Sequence, residues 1–399
     1  MSAWSVRHGW FSAGLMAAVV FFAAVVSGQD PETKAPGLPP VAESLHALAT
    51  GNRSANDTPA DDVVAVDELE APAKAEDAAE SRSAAPAAKS ITQKVVKDPA
   101  LELTDPRTYR LKVLLKVEAP DGKLTNVVAV EPIPMDWPEQ QVRLISQKVS
   151  PGARVSQEVI PGQAAILRLQ VATIPQGGSA SVERLYEITR HRMQFKMSPE
   201  EMDRPHRPPA ELREALTGPA PGLEIQHPKI VSLAESLRHQ AAGQGSWEMV
   251  KGFWQWTRDN VKFENGDFRG ALFAVENKCG DCEEMSALFV SLCRLSNITA
   301  RTVWVEGHDY PEFYLSDRQG VGHWIPAQVV GPPWFGEMAE YRPIFQKGDR
   351  FYDRFQKQYT RYVPHTARAD GSSTQPKLIV DHQILSDSDI NGPSYNSTK

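Results

Sequence analysis

Cysteine is scarce in this chain, with 3 in 399 residues, at Cys279, Cys282 and Cys293. A small, odd count excludes a disulfide scaffold and leaves at least one thiol free or paired elsewhere. Excess positive charge is also missing. Lys and Arg number 43 against 50 Asp and Glu, a net charge of -7 with the acids gathered between Asp57 and Glu80. That leaves no basic footprint, so nucleic acid is not an expected partner. Cys279 and Cys282 form a C-x-x-C pair, but the chain lacks the second such pair, or the His pair, that zinc would need. No βαβ pattern precedes the pair, as a thioredoxin-like site would require. No metal and no cofactor is therefore expected. A reversible disulfide between Cys279 and Cys282 stays open as a way to silence a thiol.

One long apolar run exists. It spans Trp10 to Val26, follows Arg7 and His8, and ends in Ser27, Gly28 and the polar change at Gln29. This is the layout of a secretory signal, and it is almost long enough to cross a bilayer uncleaved. Residues 1–28 are thus read as a signal peptide or signal anchor. Either reading exports the bulk of the chain to the periplasm, the cell surface or the medium, with membrane association through the N-terminal segment in the second. Residues 29–98 are Ala, Pro and acidic residues without sustained period, apart from a short helix expected around 41–49. Such a stretch cannot bury enough apolar surface to offset its ordering entropy, and it reads as a disordered linker.

From Thr108 the pattern has period two, with Tyr109, Leu111, Val113, Leu115 and Val117 alternating against polar neighbours. Asp121-Gly122 supplies a tight turn, and further strand signals follow at 127–130, 165–171 and 182–195. About six strands without a helix predict a β-sandwich over residues 99–198, serving to bind or position a partner. After a proline-rich joint the period lengthens. Ile230, Leu233 and Leu237 mark one helix, and Trp247, Val250, Phe253 and Trp254 another. A third runs from about Asp281 to Ser296, followed by strands at 300–305, 308–315 and 322–329. Residues 199–365 are read as an α+β domain, and residues 366–399 as a polar, aperiodic tail.

Cys282 heads the buried stripe of the third helix, directly after Gly280-Asp281. The free N-H groups and positive dipole end of a first helical turn favour thiolate and can hold an oxyanion. Along His308 to Leu315, even-numbered side chains share a face, so His308, Tyr310, Glu312 and Tyr314 are expected to point together. A histidine near such a cysteine takes its proton and yields a nucleophile for carbonyl carbon. A third group should hold the ring, and it should come from the next strand, Gly322 to Gln328. His323 competes as base but lies on the opposite face from Gln328. Cys293 reads as a buried hydrophobe, Arg301 as the partner of a helix carboxylate, and Trp324, Trp334, Phe335, Tyr341 and Phe345 as core in preference to a groove.

These residues resemble the transglutaminase-like superfamily of papain-type cysteine enzymes. The resemblance rests on three ordered motifs: Gly280-Asp281-Cys282-Glu283-Glu284 with Cys293-Arg294 and Ile298-Thr299-Ala300-Arg301; His308, Tyr310 and Glu312; and Gly322-His323-Trp324-Ile325-Pro326 with Gln328. It covers roughly Trp247 to Val330. It implies a papain-like α+β core, preceded here by the all-β sandwich, and acyl transfer at peptide or protein carboxamides through a thioester. Water as acceptor gives hydrolysis, and an amine gives cross-linking. The resemblance assigns Cys282 as nucleophile, His308 as base and Gln328 as the orienting group. Gln328 stands where the family usually has aspartate, and Tyr310 where it has tryptophan. Calcium, used by some members, has no evident carboxylate loop. The competing class is a silent module that binds peptide in the same groove.

Overall fold

The computed structural model describes residues 97–202, 204–205 and 210–385. The expected signal segment, nearly all of the linker, the short helix at 41–49 and the chain beyond 385 lie outside the described residues. Among the described residues no helix is long and apolar enough to cross a membrane.

Six strands open this part of the chain: β1 (Leu101–Glu118), β2 (Leu124–Ile133), β3 (Gln140–Val149), β4 (Ala153–Ile160), β5 (Ala164–Ile174) and β6 (Ser179–Phe195). The period-two pattern explains them. Leu111, Val113, Leu115 and Val117 of β1 are fully buried, while their polar neighbours stay partly exposed. Five helices follow: α1 (Ala210–Thr217), α2 (Pro228–Gln240), α3 (Ser246–Asn260), α4 (Ala271–Asn277) and α5 (Cys282–Leu295). Then come β7 (Thr299–Val305), β8 (His308–Ser316), β9 (Gly322–Pro326), β10 (Ile344–Lys347), β11 (Thr366–Ala369) and β12 (Lys377–Leu385), with shorter pieces between.

The strands form two large sheets. In one, β6 lies between β1 and β3, and β12 pairs with the far side of β1. The other runs β9-β8-β7-β10-β5-β2-β11, with β4 on the free side of β5. The residues expected as an aperiodic tail therefore include two strands. β11 pairs with β2 and β12 with nearly the whole inner half of β1. Both are half-exposed edge strands paired with partners more than two hundred residues away; β11 is too short to show in its own composition, and Leu378-Ile379-Val380 of β12 is a strand signal within the stretch read as polar.

The expected boundary near residue 198 is not a boundary in the sheet. β10 joins β7 on one side and touches β5 through Gln346 and Ala164 on the other. Two cores result. One lies between the sheets and takes Val303, Val305, Tyr310, Ile344 and Phe345 along with the sandwich residues. The other gathers α2, α3 and α5 on the opposite side of β8, through Ile230, Phe253, Phe289, Phe313 and Leu315. β7 and β8 are buried on both faces, which lets them serve both cores.

Candidate active site

α5 starts at Cys282 because Asp281 caps it. The Asp281 backbone is extended, and its carboxylate accepts the N-H groups of Glu283 (2.8 Å) and Glu284 (3.4 Å), while Glu284 accepts the Asp281 N-H at 2.8 Å. This reciprocal box uses two of the helix's orphan donors, and the Cys282 N-H is not among those it engages. Gly280 is required by close approach. A Cβ there would stand 2.7 Å from the Cβ of Glu284. Burial would raise Glu284, but hydrogen bonds from Asp281 and the Arg269 main chain, with the Arg269 charge, hold it below the usual carboxylate range. Asp281 is pushed up to about 7 by burial and by Glu284.

The thiol of Cys282 is half-buried at this helix end. Burial pushes it well above the usual thiol range, and the charges of Asp309 and Asp281 push the same way, whereas the main-chain N-H of Asp309 favours the thiolate. Two cations counter the acids from outside the helix, since Arg342 and Arg361 both act on Cys282. Arg361 lies over Phe268 at 3.3 Å and pairs with Glu283. Arg342 is held by Glu340 at 2.6 Å.

His308 opens β8 after a two-residue turn in which Gly307 takes φ 64°, a conformation that suits glycine. Its ring meets the Gln328 amide, with Nε2 to Nε2 at 3.2 Å. Burial lowers the imidazole below its ordinary value and Arg342 adds to this, against opposing effects from Glu340 and Gln328. Its surroundings therefore favour the neutral ring. Gln328 is fixed through its backbone. Its carbonyl accepts from Trp254 Nε1 (2.6 Å) and Arg258 Nη1 (3.0 Å), and its N-H donates to the Trp334 carbonyl at 2.8 Å. Its buried Oε1 has no hydrogen bond, and a half-turn of the amide would give that oxygen the ring N-H instead, so either tautomer finds a partner.

The structure thus brings His308 and Gln328 into contact and puts Cys282 against Asp309, one residue and about 3.8 Å of backbone from His308. Arg342 acts on both the thiol and the imidazole. Tyr310 and Glu312 of the even-numbered row do point together, and they point away from α5. Tyr310 and Glu312 face the sandwich, where Glu312 pairs with Arg301 (2.9 Å) and Lys347 (2.8 Å). Asp309, Phe313 and Leu315 face α5. Arg301 accordingly pairs with its cross-strand neighbour and not with a helix carboxylate.

His323 is committed elsewhere, its Nδ1 to Asp98 at 2.8 Å and its Nε2 to Asp317 at 3.3 Å. Cys293 is fully buried, and all three cysteines are free thiols. Phe335 and Phe345 pack into the two cores. The sequence reading did not find Asp309, Arg342 or Arg361. The signal for Asp309 was its place beside His308, a charged residue in a strand buried on both faces. Among the described residues no group of three or more His, Cys, Asp or Glu is arranged to hold a metal ion.

Comparison with known proteins follows this geometry. Residues 232–329 match the family model of the transglutaminase-like superfamily. No curated protein matches the chain. Among solved structures, a candidate cysteine protease from Cytophaga hutchinsonii is similar over 72% of this chain and 93% of that chain, at 11% identity and a TM-score of 0.48, a level that carries no argument about chemistry. The helices and strands that carry Cys282, His308 and Gln328 form a transglutaminase-like core.

Proposed function

We propose that this protein is a cysteine acyl-transfer enzyme acting on peptide or protein carboxamides, and that it works outside the cytoplasm. The observation that carries the chemistry is the His308–Gln328 contact at 3.2 Å, at the end of β8 that also meets the thiol of Cys282 in the first turn of α5. In this reading neutral His308 takes the Cys282 proton, and the sulfur attacks the carboxamide carbon. The oxyanion is met by the Cys282 N-H at the positive end of α5. The imidazolium gives its proton to the departing nitrogen as the C-N bond breaks, leaving a thioester. Water or an amine then attacks the thioester, losing its proton to His308 and restoring the thiol. Gln328 orients the ring without adding charge, so the imidazolium relies on Glu340 for a nearby carboxylate. Export rests on the apolar run from Trp10 to Val26 behind Arg7 and His8.

A second reading has a specific observation behind it. Burial and the two neighbouring carboxylates hold the thiol high, which suits a module that binds peptide without turnover. Incubating the full-length protein with a glutamine peptide and a tagged amine, read by mass, separates the cases. Deamidation, amine incorporation or backbone cleavage that is lost in Cys282→Ala supports the enzyme. Peptide retained unchanged by both proteins supports the binding module.

A further inference from the structure

Asp309 is the acid of this site that the proposed reaction does not use. It follows His308, is 1% exposed, and lies on the α5 side of β8. Neither of its carboxylate oxygens has a hydrogen bond of regular geometry, and the same holds for the buried hydroxyl of Ser286, one turn into α5. The Ser286 hydroxyl and the Cys282 thiol are the hydrogen-bonding neighbours of this carboxyl. Asp281 and Glu284 face it as further acids from the first turn of α5. On β7 its cross-strand partner is Trp304, which carries no charge. The cations nearby are engaged, Arg361 by Glu283 and Arg342 by Glu340, and both act on the thiol from the loops after β9 and β10.

A carboxylate buried without good donors and beside two other acids is costly to ionise. Its neighbour here is the very sulfur that must ionise for the proposed reaction. The two cannot both be anions without like-charge repulsion in a place that water reaches poorly. One proton shared between them therefore has opposite consequences at its two ends. On Asp309 it is offered to the sulfur as a hydrogen bond. On sulfur it is accepted by the carboxylate and the nucleophile is blocked.

We propose that Asp309 controls the ionisation of Cys282: as a neutral acid it donates to the sulfur and permits the thiolate, and as a carboxylate it holds the proton on the thiol. The proposal rests on reading Cys282 as the nucleophile. When the thiolate forms, the thiol proton passes to His308 and Asp309 keeps its own, so no further reactant is needed. Burial raises Asp309 to about 7, against the lowering effect of Ser286, which sets the changeover near neutral pH. The folded protein thus carries a thiol whose ionisation the Asp309 carboxylate opposes above the changeover and no longer opposes below it.

The test is the pH profile of Cys282 alkylation by iodoacetamide in the full-length protein, with labelling assigned by peptide mass and the fold checked by circular dichroism. Asp309→Asn keeps the shape and always donates. It is expected to alkylate about tenfold faster between pH 7 and 8, the equivalent of a thiol pKa lower by about one unit. Ser286→Ala, which removes the group that lowers Asp309, is expected to move the restraint to higher pH and guards against a misfolded first variant. Profiles of both variants that coincide with the wild type would overturn the proposal. Repeating Asp309→Asn in a His308→Ala background keeps the two readings apart. A shifted thiol profile there with no peptide turnover in any variant means that Asp309 controls the thiol while the enzyme reading has failed.

Discussion

The two faces of β8 solve different problems with alternate residues of one strand. Toward the sandwich, Glu312 sits in a buried chain of charges that runs from Arg301 through Lys347 to Glu139, with Lys347 2.8 Å from Glu312 and 2.7 Å from Glu139. Every charge in it is paired, and Tyr310 packs beside it. Toward α5, Phe313 and Leu315 are ordinary core, but Asp309 at the end is a buried acid with poorly matched neighbours. Pairing offsets the desolvation of these buried charges, and the network joins the sandwich to the transglutaminase-like core. The mismatched position stands beside the thiol that we propose as the nucleophile. Buried polar groups without partners are rare, and finding one beside a nucleophile is what directs attention to it.

Cutting the paired face should have the largest effect. Glu312→Ala leaves Arg301 and Lys347 buried with lost partners, and denaturant unfolding should show a loss of about 3–5 kcal/mol. Phe313→Ala opens a cavity against α5 and should cost about 3–4 kcal/mol by the same measurement. If the two faces are energetically separate, the double variant should show the sum to within about 0.5 kcal/mol; strong coupling would mean that the strand acts as one unit.

The turn between β7 and β8 offers a milder cut. His382 of β12 bonds Glu306 at 2.7 Å, also contacts Glu131, and stacks on Phe345. Despite burial, its carboxylate partners raise it to about 10. A raised folded value means that this stabilisation is fully present below the ordinary histidine range, near 6.5, and is lost as pH rises toward 10. His382→Gln should therefore destabilise by about 2 kcal/mol at pH 6, and the gap from wild type should close near pH 10. A gap that is constant with pH would contradict the assignment.

The smallest change is expected at Gln328. Gln328→Ala should lower kcat about tenfold, the value of one hydrogen bond to the ring, with stability nearly unchanged. Gln328→Asp adds a charge beside His308 and should raise the pH at which the base gains its proton, seen as an upward shift of the acidic limb of the rate profile.

Much of this was legible in the sequence because it depends on local rules. Period two gave β1 and β6, helical stripes gave α2, α3 and α5, and Gly280-Asp281 announced the cap that places Cys282. The motif order brought His308 and Gln328 together before any coordinates did. What escaped depends on partners distant in sequence. β12 pairs with β1 from more than two hundred residues away, and its strand signal is confined to the short Leu378-Ile379-Val380 run amid polar neighbours. α4, seven residues long, is too short for a period to declare itself. Which face of β8 meets the helix was not legible, because parity groups residues without saying which group faces α5, and burial on both sides erases the polar cue that would decide it.

The central claim is that Cys282 forms a thioester with a carboxamide substrate. Intact mass measured on rapidly quenched full-length protein after mixing with a glutamine peptide tests it directly. The account predicts an adduct equal to the peptide less ammonia, or to its N-terminal acyl fragment where a backbone amide is attacked, mapped to Cys282 and absent from Cys282→Ser. Folded protein whose Cys282 is alkylated by iodoacetamide, yet which never carries that adduct at any pH between 5 and 8, would contradict it.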